Sequence, residues 1–180
     1  MNQKQNEPKT TGLPDERLQQ PDHKREGLAL LFVCTGNTCR SPMAAALFNR
    51  YATDSGCRAL SAGVAASDGF PASEQAVEVM RLQYGLDLAA HQSRAVTAGM
   101  VAQADLVLAM TEAHKQLLLR LFPQQKEKVA TLAEAAGQSG QDVSDPFSGG
   151  YQQYARTAAE LDVLVRKLVE RFCVNTAAGE

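Results

Sequence analysis

Tryptophan is absent from the 180-residue chain, and only four residues are cysteine. The four thiols, Cys34, Cys39, Cys57 and Cys173, are too few and too scattered for a secreted scaffold held together by disulfides. They also match no zinc-binding pattern, because no Cys or His pair lies at the spacing that would complete a tetrahedral site. We therefore expect thiols in a reducing compartment and predict no metal and no cofactor.

Strong charge and long apolar runs are also missing. The formal net charge is -2, and no cluster of Lys and Arg offers a surface for nucleic acid. No apolar run approaches the roughly 20 residues that span a bilayer, and the N-terminus lacks the apolar core of a signal peptide. We expect a cytoplasmic monomer that has neither nucleic acid nor a membrane as its partner.

The chain divides into a polar tail and one domain. Residues 1–27 are rich in Gln, Pro, Lys and Glu, so they cannot bury enough apolar surface to offset the entropy cost of ordering. We predict a flexible tail there. Residues 28–175 are predicted to form a single domain, which is long enough to bury one core.

Short apolar runs alternate with amphipathic segments throughout this domain. The predicted strands are "LALLFV" (28–33), "CRALSAG" (57–63), "ADLVLAM" (104–110) and "KVATL" (128–132). The predicted helices cover residues 41–56, 74–84, 111–122 and 151–173. This alternation predicts a three-layer α/β domain, in which a four-stranded parallel sheet has helices on both faces.

The stretch "LLFVCTGNTCRSPM" runs from the first strand into the first helix. Ligands of open parallel sheets bind where the carboxyl end of a strand turns into a helix, and Cys34 stands at such an end. Gly36 allows backbone N–H groups to turn inward and the helix N-terminus faces the same point, which predicts a nest for an anion. Arg40 adds a planar fork of donors for a tetrahedral oxyanion.

The same surroundings predict a nucleophile. Inward N–H groups, a helix N-terminus and Arg40 each favour the thiolate form of Cys34. Ser41 is predicted to cap the helix, with Pro42 at its first position, and the serine hydroxyl can also donate to the thiolate. Asn37 is interpreted either as a tie for the loop backbone or as a simple turn former.

A thiolate that attacks phosphorus needs an acid for the departing atom, and the best candidate lies in "DVSDPFSGG". Asp145 precedes Pro146, which keeps the aspartate out of helical geometry and stiffens its loop. Phe147 can wall the mouth of the pocket. Asp142 is an almost equal candidate for the acid, and a plain loop without chemistry is a third interpretation of this segment.

The two motifs together resemble the low-molecular-weight protein tyrosine phosphatase family. Its signature is Cys, five residues, Arg and then Ser or Thr, with an Asp-Pro acid loop near the C-terminus; this chain has "VCTGNTCRSPMA" and "DPFSGG". "SAGV", "HQSRAVT" and "ADLVLAMTEAHK" also resemble family segments, so the similarity runs from about Leu28 to about Leu168. The resemblance implies that His91 braces the phosphate loop, and we expect the sheet order 2-1-3-4.

The segment "CTGNTCRS" further resembles the branch of bacterial protein arginine phosphatases, where the Thr that matches Thr38 is associated with a preference for phosphoarginine. A phosphoguanidinium is planar and rich in donors, so a short polar side chain and a carboxylate at its edge suit it. Thr38 and Asp145 offer these groups, whereas apolar walls suit a phosphotyrosine ring. Ser148 also favours phosphoarginine, because the tyrosine phosphatases often have a second aromatic residue after Asp-Pro and this chain does not.

Three other functions stay open. A low-molecular-weight tyrosine phosphatase would use the same residues, whereas an arsenate reductase needs further cysteines to relay electrons. Cys57 and Cys173 are poorly sited for a relay and are interpreted as small buried apolar residues. A phosphate-binding module without catalysis would need neither the thiol nor Asp145. In any of the enzymes, a disulfide between Cys34 and Cys39 is a candidate redox switch.

We predict a phosphatase that hydrolyses phosphoarginine in proteins through a phosphocysteine intermediate. Cys34 attacks phosphorus, Arg40 holds the oxygens, and Asp145 serves first as acid and then as base. Thr38 and Phe147 are assigned to substrate specificity. The residues predicted to bind the phosphate are Thr35, Gly36, Asn37, Thr38, Cys39, Arg40 and Ser41.

Overall fold

The first apolar run of the domain forms the first strand of a parallel sheet. The computed structural model describes residues 27–138 and 140–173, so the predicted tail lies outside the described residues except for Gly27, as does the predicted domain end at residue 175. The strands are β1 (Ala29–Cys34), β2 (Arg58–Gly63), β3 (Leu106–Ala109) and β4 (Val129–Thr131). All neighbours are parallel and the order is β2-β1-β3-β4, which confirms the prediction.

Six α-helices cover the two faces of this sheet in the described part of the chain. They are α1 (Arg40–Tyr51), α2 (Glu74–Tyr84), α3 (Ala98–Gln103), α4 (Glu112–Leu121), α5 (Leu132–Ala135) and α6 (Tyr151–Phe172), and short 3-10 turns lie at Thr53–Ser55 and Pro123–Lys128. No helix among the described residues is both long and apolar enough to cross a membrane.

Side chains along β1 alternate between two cores that enclose the sheet. Leu30 and Phe32 pack with residues of α1, α2 and α6, whereas Leu31 and Val33 pack with residues of α3 and α4. All four side chains are at most 2% exposed. This burial on both faces explains why the run is continuously apolar and does not alternate with polar residues.

The predicted N-cap of α1, Ser41, is wrong by two residues. The N-cap is Cys39, whose side chain makes no capping bond, and Ser41 and Pro42 lie inside the first turn. The predicted cap fails because the Ser41 hydroxyl turns away from the helix N–H groups, toward the Cys34 sulfur. The N-terminal N–H groups of α1 are therefore left without a side-chain cap.

Two short helices were not predicted. Thr97 caps α3 by accepting a hydrogen bond from the Met100 N–H. Thr131 and Glu134 form a capping box at the start of α5, where the sequence predicted that the strand would continue to Leu132. The Thr-x-x-Glu pattern was visible in the sequence and is typical of a helix start, so α5 could have been predicted from it.

Gly63 lies where β2 meets the loop after β1, and a side chain there would collide with that loop. An added Cβ would contact the Thr35 carbonyl oxygen and lie 2.9 Å from the Asn37 nitrogen. We expect Gly63→Ala to lower the free energy of unfolding by about 1 to 3 kcal/mol, the usual cost of overpacking. Urea denaturation measures this difference.

Gly99→Ala provides the matched control. Gly99 lies in α3, where a Cβ would have its nearest neighbour 3.9 Å away. This variant should gain about 0.5 to 1 kcal/mol, because alanine is the better helix former. Equal stability of Gly63→Ala and the unmodified protein would contradict the packing argument.

Candidate active site

The loop of residues 35–39 joins the carboxyl end of β1 to the first turn of α1. Cys34, the last residue of β1, has a buried side chain that is 2% exposed. Its sulfur lies 3.0 Å from the Ser41 hydroxyl oxygen and accepts the Asn37 backbone N–H at 3.3 Å. These two polar groups and the N-terminus of α1 place partial positive charge beside the sulfur.

Asn37 is the central tie of this loop. Its φ is 56°, a left-handed conformation that asparagine tolerates better than most residues. Its side-chain amide group donates to Ser41 and Ser61, each at 2.9 Å, and its side-chain oxygen accepts the Arg94 N–H at 2.9 Å. The first of the two sequence interpretations, a tie for the loop backbone, therefore describes this residue.

His91 contacts the loop as the resemblance implied. Its Nε2 lies 2.7 Å from the Asn37 carbonyl oxygen. Because a carbonyl oxygen can only accept, Nε2 carries the proton and donates. His91 therefore holds the backbone of the loop. Among the described residues, it makes no hydrogen bond with the Cys34 sulfur.

Arg40 has a buried guanidinium group, with its side chain only 5% exposed. One terminal nitrogen lies 2.7 Å from the Asp145 carboxylate, and the other donates to the Val143 carbonyl oxygen at 3.4 Å. Its Nε is buried and has no hydrogen-bond partner among the described residues. A buried N–H group without a partner is costly, so this donor is suited to a ligand that brings its own acceptors, such as an oxyanion.

Asp145 is brought to Arg40 by the loop before α6. Its side chain is 51% exposed, and its second oxygen accepts the Phe147 N–H at 3.1 Å. The preceding Ser144 is fastened to α6, because Thr157 donates to its carbonyl oxygen at 3.4 Å and Glu160 accepts its N–H at 3.2 Å. The carboxylate is thus held near the loop but stays open to solvent and to a substrate.

Asp142, the other candidate acid, binds the start of α4. Its carboxylate accepts the N–H of Glu112, the first residue of α4, at 2.8 Å. This contact fastens the loop to a helix N-terminus, and a hydrogen bond between the Val143 N–H and Met110 adds to it. Phe147, by contrast, is 76% exposed and follows Asp145 by two residues, and its role at the mouth of a pocket stays a prediction.

Thr35, the first residue after the nucleophile candidate, is held by a histidine that sequence reasoning did not assign. Thr35 Oγ1 lies 2.8 Å from His114 Nε2, and Thr111 Oγ1 lies 2.8 Å from His114 Nδ1. Burial and the positive charge of Arg40 lower the pKa of His114 below its ordinary value of 6.5, although Asp145 and Asp142 act in the opposite direction. The imidazole is therefore neutral at physiological pH.

Ser61 and Tyr154 are the other residues that sequence reasoning missed. Ser61 lies near the carboxyl end of β2 and binds Asn37, while the Tyr154 hydroxyl lies 3.2 Å from the Cys39 sulfur. The position of Ser61 at the ligand-binding edge of the sheet was the one available signal for it. The sequence gives no such signal for Tyr154, because its contact with Cys39 depends on how α6 packs.

None of the four cysteines forms a disulfide, and they lie in two separate groups. Cys34 and Cys39 lie at either end of the loop, and their redox role stays a prediction. Cys57 and Cys173 are buried as predicted, at 8% and 3% exposure, but they also contact one another. Burial and a hydrogen bond with Cys57 raise the pKa of Cys173 to about 12. Because Cys57 precedes β2, this pair lies at the opposite edge of the sheet from Cys34.

Comparisons with known proteins agree on one family. The family model for low molecular weight phosphotyrosine protein phosphatase matches residues 29–177. A protein-arginine-phosphatase of Bacillus subtilis (strain 168) is 43% identical over 146 residues, which cover 79% of this chain and 95% of that protein.

Solved structures give the same result. A low molecular weight protein tyrosine phosphatase from T. tengcongensis has a TM-score of 0.77 at 44% identity, covering 81% of this chain and 99% of its own. A mutant of the arginine phosphatase YwlE with a phosphorylated active site serine has a TM-score of 0.78 at 40% identity, covering 84% of this chain and 98% of its own.

The lowered pKa of His114 predicts a pH-dependent stability. The unfolded chain gains a proton on this residue near pH 6.5, whereas the folded protein resists protonation until a lower pH. The free energy of unfolding should therefore fall as the pH drops from 7.5 to 5.5. His114→Gln, which gains no proton, should lose less over this interval, as urea denaturation at both pH values measures. The same slope in both proteins would contradict this account.

Proposed function

Because the chain belongs to the low molecular weight phosphotyrosine protein phosphatase family, we propose that it hydrolyses phosphoarginine in proteins through a phosphocysteine intermediate. The observation that carries the proposal is the contact of Asp145 with a guanidinium group, that of Arg40, at 2.7 Å beside the loop. A carboxylate that already binds one guanidinium group in this position is suited to bind another.

The first step forms a covalent intermediate. The Cys34 thiolate attacks phosphorus in line, so that a sulfur–phosphorus bond forms while the phosphorus–nitrogen bond breaks. The backbone N–H groups of residues 35–40 and the Arg40 guanidinium hold the equatorial oxygens, and the buried Nε finds its acceptor there. Asp145 donates a proton to the departing nitrogen, which leaves as the guanidinium group of arginine.

The second step restores the enzyme. Asp145, now a carboxylate, takes a proton from a water molecule, and the oxygen of that water attacks phosphorus. The sulfur–phosphorus bond breaks, phosphate leaves and the Cys34 thiolate returns. Ser41 assists both steps: its single proton has two acceptors in reach, and the Cys34 sulfur at 3.0 Å is closer than the Ala62 carbonyl oxygen at 3.3 Å. The chemistry requires no metal.

Substrate binding and the Arg40–Asp145 ion pair are linked in this scheme. The phosphoryl oxygens take over N–H groups of Arg40, and Asp145, released from the ion pair, takes up a proton from water. Its O–H group then faces the leaving nitrogen, and its second oxygen accepts an N–H group of the substrate. One guanidinium group thus replaces another at the same carboxyl group. A phosphotyrosine ester has no N–H groups to offer Asp145, so this exchange favours phosphoarginine.

Phosphotyrosine is the second candidate substrate. Several relatives are named as tyrosine phosphatases, including the structure from T. tengcongensis, and the exposed ring of Phe147 can stack on an aromatic substrate. Ser148 follows Phe147, so the chain lacks a second ring at this mouth. The arsenate reductase alternative draws no support from Cys57 and Cys173, which lie at the far edge of the sheet.

We predict that Cys34→Ser abolishes turnover but keeps phosphate binding. Serine retains the loop geometry but is a far weaker nucleophile, so turnover should fall by a factor on the order of 10³ or more. Steady-state kinetics measures the turnover, and calorimetric titration with inorganic phosphate measures the binding. Cys57→Ser, the same change at the far edge of the sheet, should keep both. Unchanged turnover in Cys34→Ser would contradict the phosphocysteine intermediate, whereas no turnover in the unmodified protein would leave only a binding module.

Thr38→Val tests the substrate class. Valine has the shape of threonine but no hydroxyl group, so it cannot accept a hydrogen bond from a phosphoguanidinium. We expect kcat/KM for a phosphoarginine protein to fall about tenfold relative to an aryl phosphate, the value of one hydrogen bond. Thr53→Val, in the 3-10 turn after α1, is the control and should leave the ratio unchanged. A preference of the unmodified enzyme for phosphotyrosine peptides would overturn the arginine assignment.

A further inference from the structure

Three hydroxyl groups surround the sulfur of Cys39, and the reaction steps above use none of them. The sulfur lies 3.2 Å from the Tyr154 oxygen, 3.5 Å from the Ser73 oxygen and 3.6 Å from the Thr38 oxygen. Cys39 is 7% exposed and Tyr154 is 3% exposed. We call Cys39, Ser73 and Tyr154 the thiol cradle, because the hydroxyl groups of Ser73 and Tyr154 both contact the Cys39 sulfur, which in turn contacts Thr38.

The proton of Ser73 is committed to the loop. Its backbone N–H donates to the Thr38 carbonyl oxygen at 2.9 Å, and its hydroxyl donates to the same oxygen at 3.3 Å. Ser73 is the N-cap of α2, yet its side chain makes no capping bond to the helix. A serine at a helix start usually turns its oxygen to the helix N–H groups, so this one is diverted to the loop.

The direction of the other hydrogen bonds follows from this commitment. Because a hydroxyl has one proton, Ser73 can only accept from Cys39, and the Cys39 S–H therefore points at Ser73. The lone pairs of the sulfur then remain for Tyr154 and Thr38, which both donate to it. Burial and the hydrogen bond with Cys39 raise the pKa of Tyr154 to about 12, so this donor keeps its proton at physiological pH.

These hydrogen bonds give the Thr38 hydroxyl group one orientation. Its hydroxyl proton points at the Cys39 sulfur, and only the lone pairs of its oxygen face outward. Such an oxygen accepts hydrogen bonds and cannot donate them. The nitrogen atoms next to the phosphoryl group of phosphoarginine carry N–H donors, whereas the bridging oxygen of an aryl phosphate carries none.

We propose that the thiol cradle fixes Thr38 as a hydrogen-bond acceptor for the guanidinium N–H groups of the substrate. Tyr154 and Ser73 are then positioning residues for specificity, since they act through Cys39 and Thr38 and do not touch the substrate. The proposal rests on the proposed function and names the residues that keep the loop selective. Without the Tyr154 donor, the Ser73 hydroxyl is free to turn and donate to the Cys39 sulfur, and the Cys39 S–H then turns to a lone pair of the Thr38 oxygen.

Tyr154→Phe tests the cradle with the loop sequence unchanged. We expect kcat/KM for a phosphoarginine protein to fall about three- to tenfold, the value of one hydrogen bond, with kcat/KM for p-nitrophenyl phosphate nearly unchanged. Tyr151→Phe is the matched control: Tyr151 lies on the same helix, and its hydroxyl accepts a hydrogen bond from Gln83 at 3.2 Å. It should leave the ratio of the two rates as it is.

Ser73→Ala is a second variant, which tests the proposal independently if Tyr154→Phe does not fold. Because the Ser73 side chain makes no capping bond, alanine removes the bond to Thr38 without uncapping α2. It should lower the same ratio, while thermal denaturation reports the stability of each variant. In a Thr38→Val background, neither Tyr154→Phe nor Ser73→Ala should change the ratio further, because residues that act as a unit are not additive.

The outcomes separate this inference from the proposed function. A wild-type preference for phosphotyrosine peptides would overturn the proposed function. Equal losses on both substrates in Tyr154→Phe, an unchanged ratio in that variant, or additive effects in the Thr38→Val background would each overturn the role of the cradle, whichever substrate the wild type prefers.

Discussion

The hydrogen bonds of Asn37 are the constraint on which the phosphate loop depends. A buried amide group is stable only when its donors and its acceptor are satisfied, and here Ser41, Ser61 and Arg94 satisfy them. These partners belong to α1, to β2 and to the segment after α2. One side chain therefore fixes the left-handed turn of the loop and joins three parts of the fold at the point where backbone N–H groups converge.

The burial of Arg40 gives this rigid loop its charge. A guanidinium group that is 5% exposed needs acceptors, and among the described residues its hydrogen-bond acceptors are Asp145 and the Val143 carbonyl oxygen, both from the loop before α6. The buried Nε is left without a partner there and is suited to an anion. The loop that carries Asp145 is thus held in position by the same cation that we propose binds the substrate, so the placement of Asp145 and the binding of an oxyanion depend on the same charge.

Local signals in the sequence predicted the sheet and selected the candidate catalytic residues. Strand ends, small residues and the Asp-Pro pair are properties of neighbouring residues, and they located Cys34, Arg40 and Asp145. The prediction that Ser41 caps α1 was wrong, because the Ser41 hydroxyl contacts the Cys34 sulfur and the Ala62 carbonyl oxygen of β2 instead. His114 and Tyr154 could not be predicted at all, since their contacts depend on how α4 and α6 pack against the loop.

The uncapped start of α1 couples ligand binding to the stability of the fold. Neither Cys39 nor Ser41 satisfies the first N–H groups of the helix with a side chain, so a bound anion serves as the cap that the sequence leaves out. A ligand that binds only the folded state stabilises it by mass action. We therefore expect phosphate, the product of the reaction, to stabilise the folded structure when it is bound.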